Sequence, residues 1–442
     1  MAGSDSLLKR PTFASSDSSL AKFVARPVLR FIDREVAGGI LLLLATAVAL
    51  IWVNSGWSDS YHDFWHSEIE LAVGTWHVFE HMSVGHFVND ALMALFFFVV
   101  GLEIKRELVT GDLSSFRAAA LPAIGALGGM AVPALFYFML NTSGEASRGW
   151  GIPMATDIAF AIGIVALLGS RVSPKIKLFL LTLAIVDDIG AIAVIAIFYS
   201  SGLSVPWLLT ALAGLIAVWV LQRARVWAIP VYVVLGIFIW YATLESGVHA
   251  TIAGVALGLL TPAKPLLGRR DAQQIVDALP SNANVAEVRH ASFLAQESVP
   301  LTERLENMLH PFTAFLIIPI FALANAGIEL SGDIISDAAS SNVTLGIIAG
   351  LVIGKPVGIT LFAWVATRFG FTLPEGVSWL QFIGMGLAAG IGFTVSIFVG
   401  GLAFDSQGVT DLAKIGILVA SLIAAVGALL LLYYGRQPDT NE

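Results

Sequence analysis

Residues 411–434 read DLAKIGILVASLIAAVGALLLLYY, and no charged residue follows Lys414 in this stretch. A run of about 20 mostly apolar residues is long enough to cross the hydrocarbon core of a bilayer, whereas shorter runs suit the cores of soluble proteins. Other runs of spanning length occur at 38–54, 118–140, 205–222 and 228–244. The chain is therefore predicted to be a membrane protein with several spans.

The composition supports the same conclusion. Hydrophobic residues make up 57% of the 442 residues, charged residues only 13%, and the mean hydropathy is +0.83. A soluble domain usually has about 45–50% apolar and about 25% charged residues. The sequence has no cysteine, which excludes disulfides, thiolate metal sites and a cysteine nucleophile. The basic residues form no patch, so no nucleic acid is expected as a partner. The expected partner is the lipid bilayer.

Hydropathy and turn signals predict an all-α polytopic protein with twelve transmembrane helices. The predicted spans are 37–54, 85–104, 118–140, 150–169, 176–199, 205–222, 226–243, 247–261, 309–329, 343–367, 379–403 and 411–434. Cytoplasmic loops carry an excess of lysine and arginine, which tests this count independently. With the N-terminus inside, all of the 24 lysines and arginines fall in inside segments except Arg148, Lys414 and Lys355. Both termini are therefore predicted to be cytoplasmic.

The segments outside the spans are short. Residues 1–27 are Ser-rich and basic and are predicted to form a disordered cytoplasmic tail, and residues 435–442 are predicted to be a cytoplasmic tail. Residues 28–434 form the twelve-span domain. It includes a short extracytoplasmic hairpin near 68–78 and a polar cytoplasmic loop, 262–308, in which residues 284–307 are predicted to be an amphipathic helix.

Four ionisable residues lie in the middle of predicted spans: Asp157, Asp187, Asp188 and Lys355. Each costs about 2.5–3.5 kcal/mol at the bilayer centre, or roughly 10 kcal/mol together. Structural ion pairs between helices are one explanation. However, three acids and one lysine cannot all pair, so at least one acid must be neutral, hydrated or bound to an ion.

Asp187 and Asp188 are adjacent, and neighbouring residues on a helix differ in direction by about 100°. One carboxylate can therefore face a cavity while the other meets a neighbouring helix. A carboxylate in such a cavity can bind either a proton or a small hard cation. Because the two compete for one site, each drives the other off, which is the simplest form of antiport.

Two spans contain helix-breaking residues near their middle. Residues 151–160 read GIPMATDIAF around Asp157, and residues 384–394 read GMGLAAGIGFT. A pair of Gly/Pro-interrupted spans in corresponding halves of a chain indicates a transporter's ion site, although glycines also serve close helix packing. Broken helices expose dipole ends near the midplane. Asp157 is predicted to offset the positive ends and Lys355 the negative ones.

Other polar groups lie near span ends. Asp90 and His249 are of this kind, as are Glu103 and Glu107, which lie four residues apart beside Lys105 and Arg106. That acidic pair is typical of a solvated helix end, and a pH-sensitive mouth would need His249, Glu306 or Arg304 nearby. The i,i+4 pairs His62 and His66, and His77 and His81, have metal-like spacing, but a solvated role is favoured.

Several motifs together resemble the NhaA family of bacterial sodium–proton antiporters, over about 28–434. The matching stretches are NDALMA (89–94), GLEIKREL (101–108), ATDIAF (155–160), DDIGA (187–191), SGVHAT (246–251), GKP (354–356) and GIGFTVS (390–396). The resemblance implies inverted repeats with two broken, crossing helices, an arrangement for which this family is itself a standard example.

The resemblance also implies an activity and roles for residues. The activity is pH-regulated, electrogenic Na⁺(Li⁺)/H⁺ exchange for pH and sodium homeostasis in the bacterial inner membrane, by a homodimer joined through the hairpin and without a cofactor. Asp187 and Asp188 would be the exchange acids, with Asp188 the leading Na⁺ ligand and Asp187 paired to Lys355. Thr156 and Asp157 would contribute to the ion site and to dipole compensation. A cytoplasmic pH-response region would contain Glu103, Glu107, His249 and Glu306.

Three other classes of membrane protein also place acidic residues within their spans. An intramembrane aspartyl protease needs a Gly-x-Gly-Asp stretch, which does not occur here. A prenyl-transfer enzyme needs more widely spaced aspartates with basic residues beside them. A cation channel stays open as an alternative, because it would pass Na⁺ without moving protons in the opposite direction.

Overall fold

A computed structural model describes residues 36–73, 76–200, 202–224, 226, 228–277, 280, 282–374 and 376–435. The predicted tails, apart from Gly435, lie outside these residues, as do the tip of the predicted hairpin at 74–75 and the side chains of His77 and His81. The α-helices are α1 (Val36–Val53), α2 (Ser58–His66), α3 (Val84–Val109), α4 (Phe116–Leu140), α5 (Ile158–Leu167), α6 (Pro174–Phe198), α7 (Val205–Arg223), α8 (Ile229–Glu245), α9 (Thr251–Leu260), α10 (Arg269–Asp277), α11 (Val285–Gln296), α12 (Leu301–Asn325), α13 (Gly332–Ser340), α14 (Asn342–Arg368), α15 (Trp379–Ala389), α16 (Phe393–Ala403) and α17 (Gln407–Tyr434).

The protein is a multi-span, all-helical membrane protein. Among the described residues, seven helices are long and apolar enough to cross a membrane, and counting each bent helix pair as one span raises the number to ten. The apolar helices α8 and α9 are shorter. Each of the twelve predicted spans coincides with one of these helices or helix pairs. Large apolar side chains on the outer faces are exposed, such as Ile197 and Leu422, as expected where lipid is the solvent.

The eighth predicted span, 247–261, differs from the expectation in length. Its helix α9 has ten residues and extends about 15 Å, half of the hydrocarbon core. Gly247 ahead of it has a φ of 78°, which ends the preceding helix, and Pro262 follows the residue after its end. The stretch is apolar on average, so hydropathy alone did not show that the helix is short.

Two spans are broken near their middle, as predicted. A 3-10 helix, Glu145–Met154, is followed by α5 at a bend of 45°, and α15 is followed by α16 at a bend of 46°. We call Glu145–Met154 the 3-10 half-helix. The unwound residues of the two spans are in direct contact, since the amide of Asp157 donates to the carbonyl of Ile391 at 2.7 Å, and we call this contact between the two breaks the crossing.

Glycines let several helices approach closely. On α3 and α9, a Cβ atom built on Gly258 would lie 2.6 Å from the carbonyl oxygen of Phe98 and 2.7 Å from the carbonyl carbon of Gly101. On α4 and α14, Gly128 and Gly358 face each other in the same way. These glycines serve close packing, which was the alternative explanation for glycine-rich spans.

Two segments outside the spans have regular structure. Strands β1 (Glu68–Val73) and β2 (Trp76–Ser83) pair antiparallel in the segment where a hairpin was predicted. The single amphipathic helix predicted at 284–307 was wrong. The segment holds α11 and the start of α12, separated at Pro300, which is the N-cap of α12. Helix α12 then continues through Pro311 by widening into a π turn, Thr313–Ile317.

Candidate ion-exchange site

Asp187 and Asp188 lie on α6 beside the crossing, and their carboxylates face different neighbours. Asp187 is wholly buried, and its Oδ2 lies 3.0 Å from Lys355 Nζ and 2.9 Å from Thr156 Oγ1. Asp188 is 6% exposed, and its carboxylate has no hydrogen bond or ion pair with any described residue. The expected Asp187–Lys355 pair is therefore present, and the two adjacent acids differ in their partners.

Lys355 approaches this pair from α14. The residues before it, Ala349–Gly354, form a π turn, and Pro356 after it lacks the N–H of a regular helical bond. Its side chain is wholly buried, and the ammonium also donates to the carbonyl oxygen of Met154, the last residue of the 3-10 half-helix. Lys355 thus lies at the negative end of a helix dipole, as predicted.

Asp157 lies between the N-termini of α5 and α16, the half-helices that follow the two breaks. Its Oδ1 accepts a hydrogen bond from the amide of Phe160 in α5 at 3.0 Å. Its Oδ2 accepts from the amide and the hydroxyl of Thr394 in α16 at 3.2 and 2.5 Å. One carboxylate thus meets two positive helix ends, which is the dipole compensation predicted for Asp157.

Thr156 completes the set at the end of α15. Its Oγ1 lies 2.9 Å from the carbonyl oxygen of Ala389 and 2.9 Å from Asp187 Oδ2. A hydroxyl donates only one proton. When Asp187 is ionised, the two acceptors compete for that proton. When Asp187 is protonated, it donates to Thr156 and Thr156 donates to Ala389. The hydroxyl therefore responds to the charge of Asp187.

The surroundings of Asp188 carry more negative than positive charge. The carboxylates of Glu103, Asp187 and Asp157 act on it electrostatically, against a single ammonium, that of Lys355. An unpaired carboxylate among ionised acids attracts a positive charge, which can be a proton or a metal cation. We call the side chains of Asp188, Asp187, Thr156 and Lys355 the ion-exchange pocket, and it can therefore hold either of these.

Comparison with known proteins identifies the family. The family described as Na⁺/H⁺ antiporter 1 matches residues 29–432. The chain belongs to this family. It is 47% identical over 430 residues, 95% of this chain and 92% of the relative, to "Na(+)/H(+) antiporter NhaA 3" of Frankia alni. It is 45% identical to "Na(+)/H(+) antiporter NhaA" of Rhodopirellula baltica, over 94% of this chain and 96% of the relative, and 45% identical to a protein of the same name from Citrobacter koseri, over 90% and 95%.

Three of the acids expected to form a pH-response region in this family member lie together. Arg106 Nε is 3.0 Å from Glu306 Oε2, and Arg106 Nη2 is 3.4 Å from Glu107 Oε1. Glu103 is close enough to act electrostatically on Glu306 and also on Asp188. Glu103 therefore connects this cluster, at the predicted cytoplasmic end, with the ion-exchange pocket.

The grouping of His249 with these acids was wrong. Its Nε2 bonds to the carbonyl oxygen of Tyr199 at 2.8 Å, and its ring interacts electrostatically with Asp90. Asp90 and Glu107 lie on the same helix, α3, and are separated by about 25 Å along it. His249 thus lies at the opposite end of the bundle from Glu107. The predicted topology already implied this, because an eighth span that runs inward begins on the outside.

The described residues contain no group of three or more His, Asp or Glu side chains that could hold a metal ion. His62 instead lies 3.2 Å from Glu329, and His66 bonds to the carbonyl oxygen of His62 at 2.8 Å.

Proposed function

We propose that the protein is an electrogenic Na⁺(Li⁺)/H⁺ antiporter that exports sodium in exchange for protons. The observation that carries this proposal is the buried, unpaired Asp188 carboxylate next to Asp187, which is locked to Lys355. The family and its named antiporters also support transport rather than hydrolysis or prenyl transfer.

The exchange follows from the charges of three groups. In the proton-loaded state Asp188 holds one proton and Lys355 holds another, and Lys355 pairs with ionised Asp187. A cation that enters the pocket and binds both carboxylates takes the place of the ammonium beside Asp187. Asp188 and Lys355 then each give up a proton.

Two protons therefore move for each cation, and one net positive charge enters the cell per cycle. The membrane potential supplies about 2.3 kcal/mol per charge for every 100 mV. A potential that is negative inside the cell thus drives Na⁺ outward even when the pH gradient is small. Asp188, Asp187 and the Thr156 hydroxyl are the proposed cation ligands.

Regulation, location and assembly are part of the same proposal. Glu103, Glu107 and Glu306 with Arg106 form the group through which pH controls access to the pocket, while a pH role for His249 would act from the other end. The distribution of lysine and arginine supports a place in the bacterial inner membrane with both termini in the cytoplasm. The hairpin of β1 and β2 would join two copies by extending its small sheet.

The test uses inside-out or reconstituted vesicles with an acidic interior and a pH-sensitive dye. Adding Na⁺ or Li⁺ should dissipate the gradient, with two protons per cation in a flux measurement. Asp188→Asn should abolish the response, whereas Asp337→Asn, which changes an exposed acid on α13, should not. Na⁺ flux without proton movement would make the protein a channel, and full activity in Asp188→Asn would refute the assignment of that residue.

A further inference from the structure

The 3-10 half-helix Glu145–Met154 is unusually long for its type. It has ten residues, whereas 3-10 runs beyond three or four residues are uncommon because their hydrogen bonds are poorly aligned. A segment of this length does not hold its conformation through its own bonds alone. Contacts from neighbouring elements are therefore expected to hold it.

Side chains from four other elements donate to its carbonyl oxygens. Each donor reaches a different residue of the half-helix: Tyr137 reaches Ala146 at 2.7 Å, Tyr199 reaches Arg148 at 2.6 Å, Ser396 reaches Ile152 at 2.9 Å, and Lys355 reaches Met154. The last of these contacts belongs to the ion-exchange site itself. The other three contacts lie along the half-helix between that site and Glu145, the first residue of the half-helix.

Tyr199, the residue after α6, makes the most specific of these contacts. Its hydroxyl donates to the carbonyl oxygen of Arg148 and accepts from the amide of Gly151 at 3.2 Å. These are the two backbone groups that an i→i+3 bond of a 3-10 helix joins. The hydroxyl therefore bridges one turn of the 3-10 helix and favours that geometry over an α-helix. A Cβ atom on residue 151 would lie 2.7 Å from the Tyr199 hydroxyl oxygen, which explains the glycine there.

The 3-10 geometry matters because it sets the length of the segment. Ten residues extend about 20 Å at 2.0 Å per residue, but only about 15 Å as an α-helix. Shortening the segment by about 5 Å at its Met154 end would withdraw the Met154 carbonyl from Lys355 and Thr156 from Asp187. The ion-exchange geometry therefore depends on the half-helix keeping its 3-10 form.

We propose that Tyr199 is a positioning residue for the exchange, which holds the half-helix in its 3-10 form and so places Met154 and Thr156 beside Lys355 and Asp187. This proposal rests on the proposed function for its transport readout. Burial raises the pKa of the Tyr199 phenol to about 12, so the hydroxyl remains a donor throughout the physiological pH range.

Tyr199→Phe tests the proposal because it removes only the hydroxyl. We expect the Na⁺ concentration for half-maximal exchange to rise at least fivefold, with the maximal rate within twofold of wild type. Hydrogen exchange should become faster at residues 145–157 and stay unchanged elsewhere. Tyr232→Phe is the matched control, since its hydroxyl also bonds a backbone carbonyl, that of Val226 at 2.9 Å, far from the crossing.

Gly151→Ala provides a second, independent variant. It should raise the same Na⁺ concentration, and it should do so less on the Tyr199→Phe background, because the nearest of the three atoms that its methyl group meets, the hydroxyl oxygen, is then absent. Additive effects would overturn the proposal. So would an unchanged Na⁺ dependence in Tyr199→Phe, or a lower maximal rate with faster hydrogen exchange across the whole bundle, which would indicate a merely structural role.

The outcomes separate the two proposals. If the wild-type protein moves no protons in response to Na⁺, the proposed function fails. The hydrogen-exchange comparison needs no transport, so it still decides whether Tyr199 holds residues 145–157. If Tyr199→Phe does not accumulate in the membrane, the same hydrogen-exchange comparison is made with Gly151→Ala. Faster hydrogen exchange confined to residues 145–157 supports the proposal, and unchanged hydrogen exchange there overturns it.

Discussion

Replacing Thr394 by valine tests the crossing of the broken helices. The change keeps the size of the side chain but removes the hydroxyl that donates to Asp157 Oδ2 at 2.5 Å. Hydrogen bonds to charged groups contribute about 1.5–3 kcal/mol. Asp157 keeps the amide bonds from Thr394 and Phe160, so we expect a loss of about 2 kcal/mol in the free energy of unfolding.

The same substitution should slow exchange, because Asp157 then compensates the start of α16 less well. Unfolding of the purified protein in detergent, followed by tryptophan fluorescence, measures the stability, and Na⁺-induced proton movement in vesicles measures the exchange. Thr394→Ser keeps the hydroxyl and is the matched control. If Thr394→Val behaves like Thr394→Ser and wild type in both assays, the hydroxyl contact does not contribute to the crossing and our reasoning is refuted.

Three further predictions concern other parts of the bundle. Lys355→Ala combined with Asp187→Asn should leave one proton per cation, because Asp188 is then the one group of the three that still carries a proton. The exchange rate should therefore no longer respond to a potential imposed with valinomycin and K⁺, and a retained voltage response would contradict the assignment of the second proton to the Asp187–Lys355 pair. Gly258→Ala should greatly reduce the amount of folded protein in the membrane, because the new Cβ atom would meet the backbone of α3. Gly163→Ala is the control and should be neutral or stabilising by about 0.5–1 kcal/mol, because no atom lies within 4 Å of its new Cβ atom. Equal yields of the two variants would disprove the close packing of α3 and α9. Raising the pH to 11 should ionise only about a tenth of the Tyr199 phenol, because burial raises its pKa to about 12. The change in absorbance at 295 nm should therefore be nearly the same in wild type and in Tyr199→Phe. A difference between them that equals one fully ionised tyrosine at pH 11 would contradict the burial of this phenol.

Much of the fold could be predicted because its signals are local. A span of apolar residues and the alternation of lysine and arginine across loops do not depend on packing, so the twelve segments were found. The two breaks were found because Pro153 and the glycines at 390 and 392 disturb a helix wherever it lies. The shortness of α9 was missed because Gly247 and Thr261 lie in a stretch that is apolar on average.

The site was predicted less completely, because contacts between distant segments decide it. The charges at Asp157, Asp187, Asp188 and Lys355 are conspicuous in an apolar chain, and their cost indicated a role. Thr394 was not assigned a role, since threonine is common in spans; its position as the second residue of a helix after a break was the available signal. Tyr199 gave no signal, because its partners lie about 50 residues earlier in the chain.

The bond between the Asp157 amide and the Ile391 carbonyl has a mechanical consequence. The two unwound segments are fastened to each other by this bond and by Thr394, so neither can slide past the other without breaking buried contacts. We therefore expect the two segments to move as one unit, so that access to Asp188 would change where this unit packs against the surrounding helices.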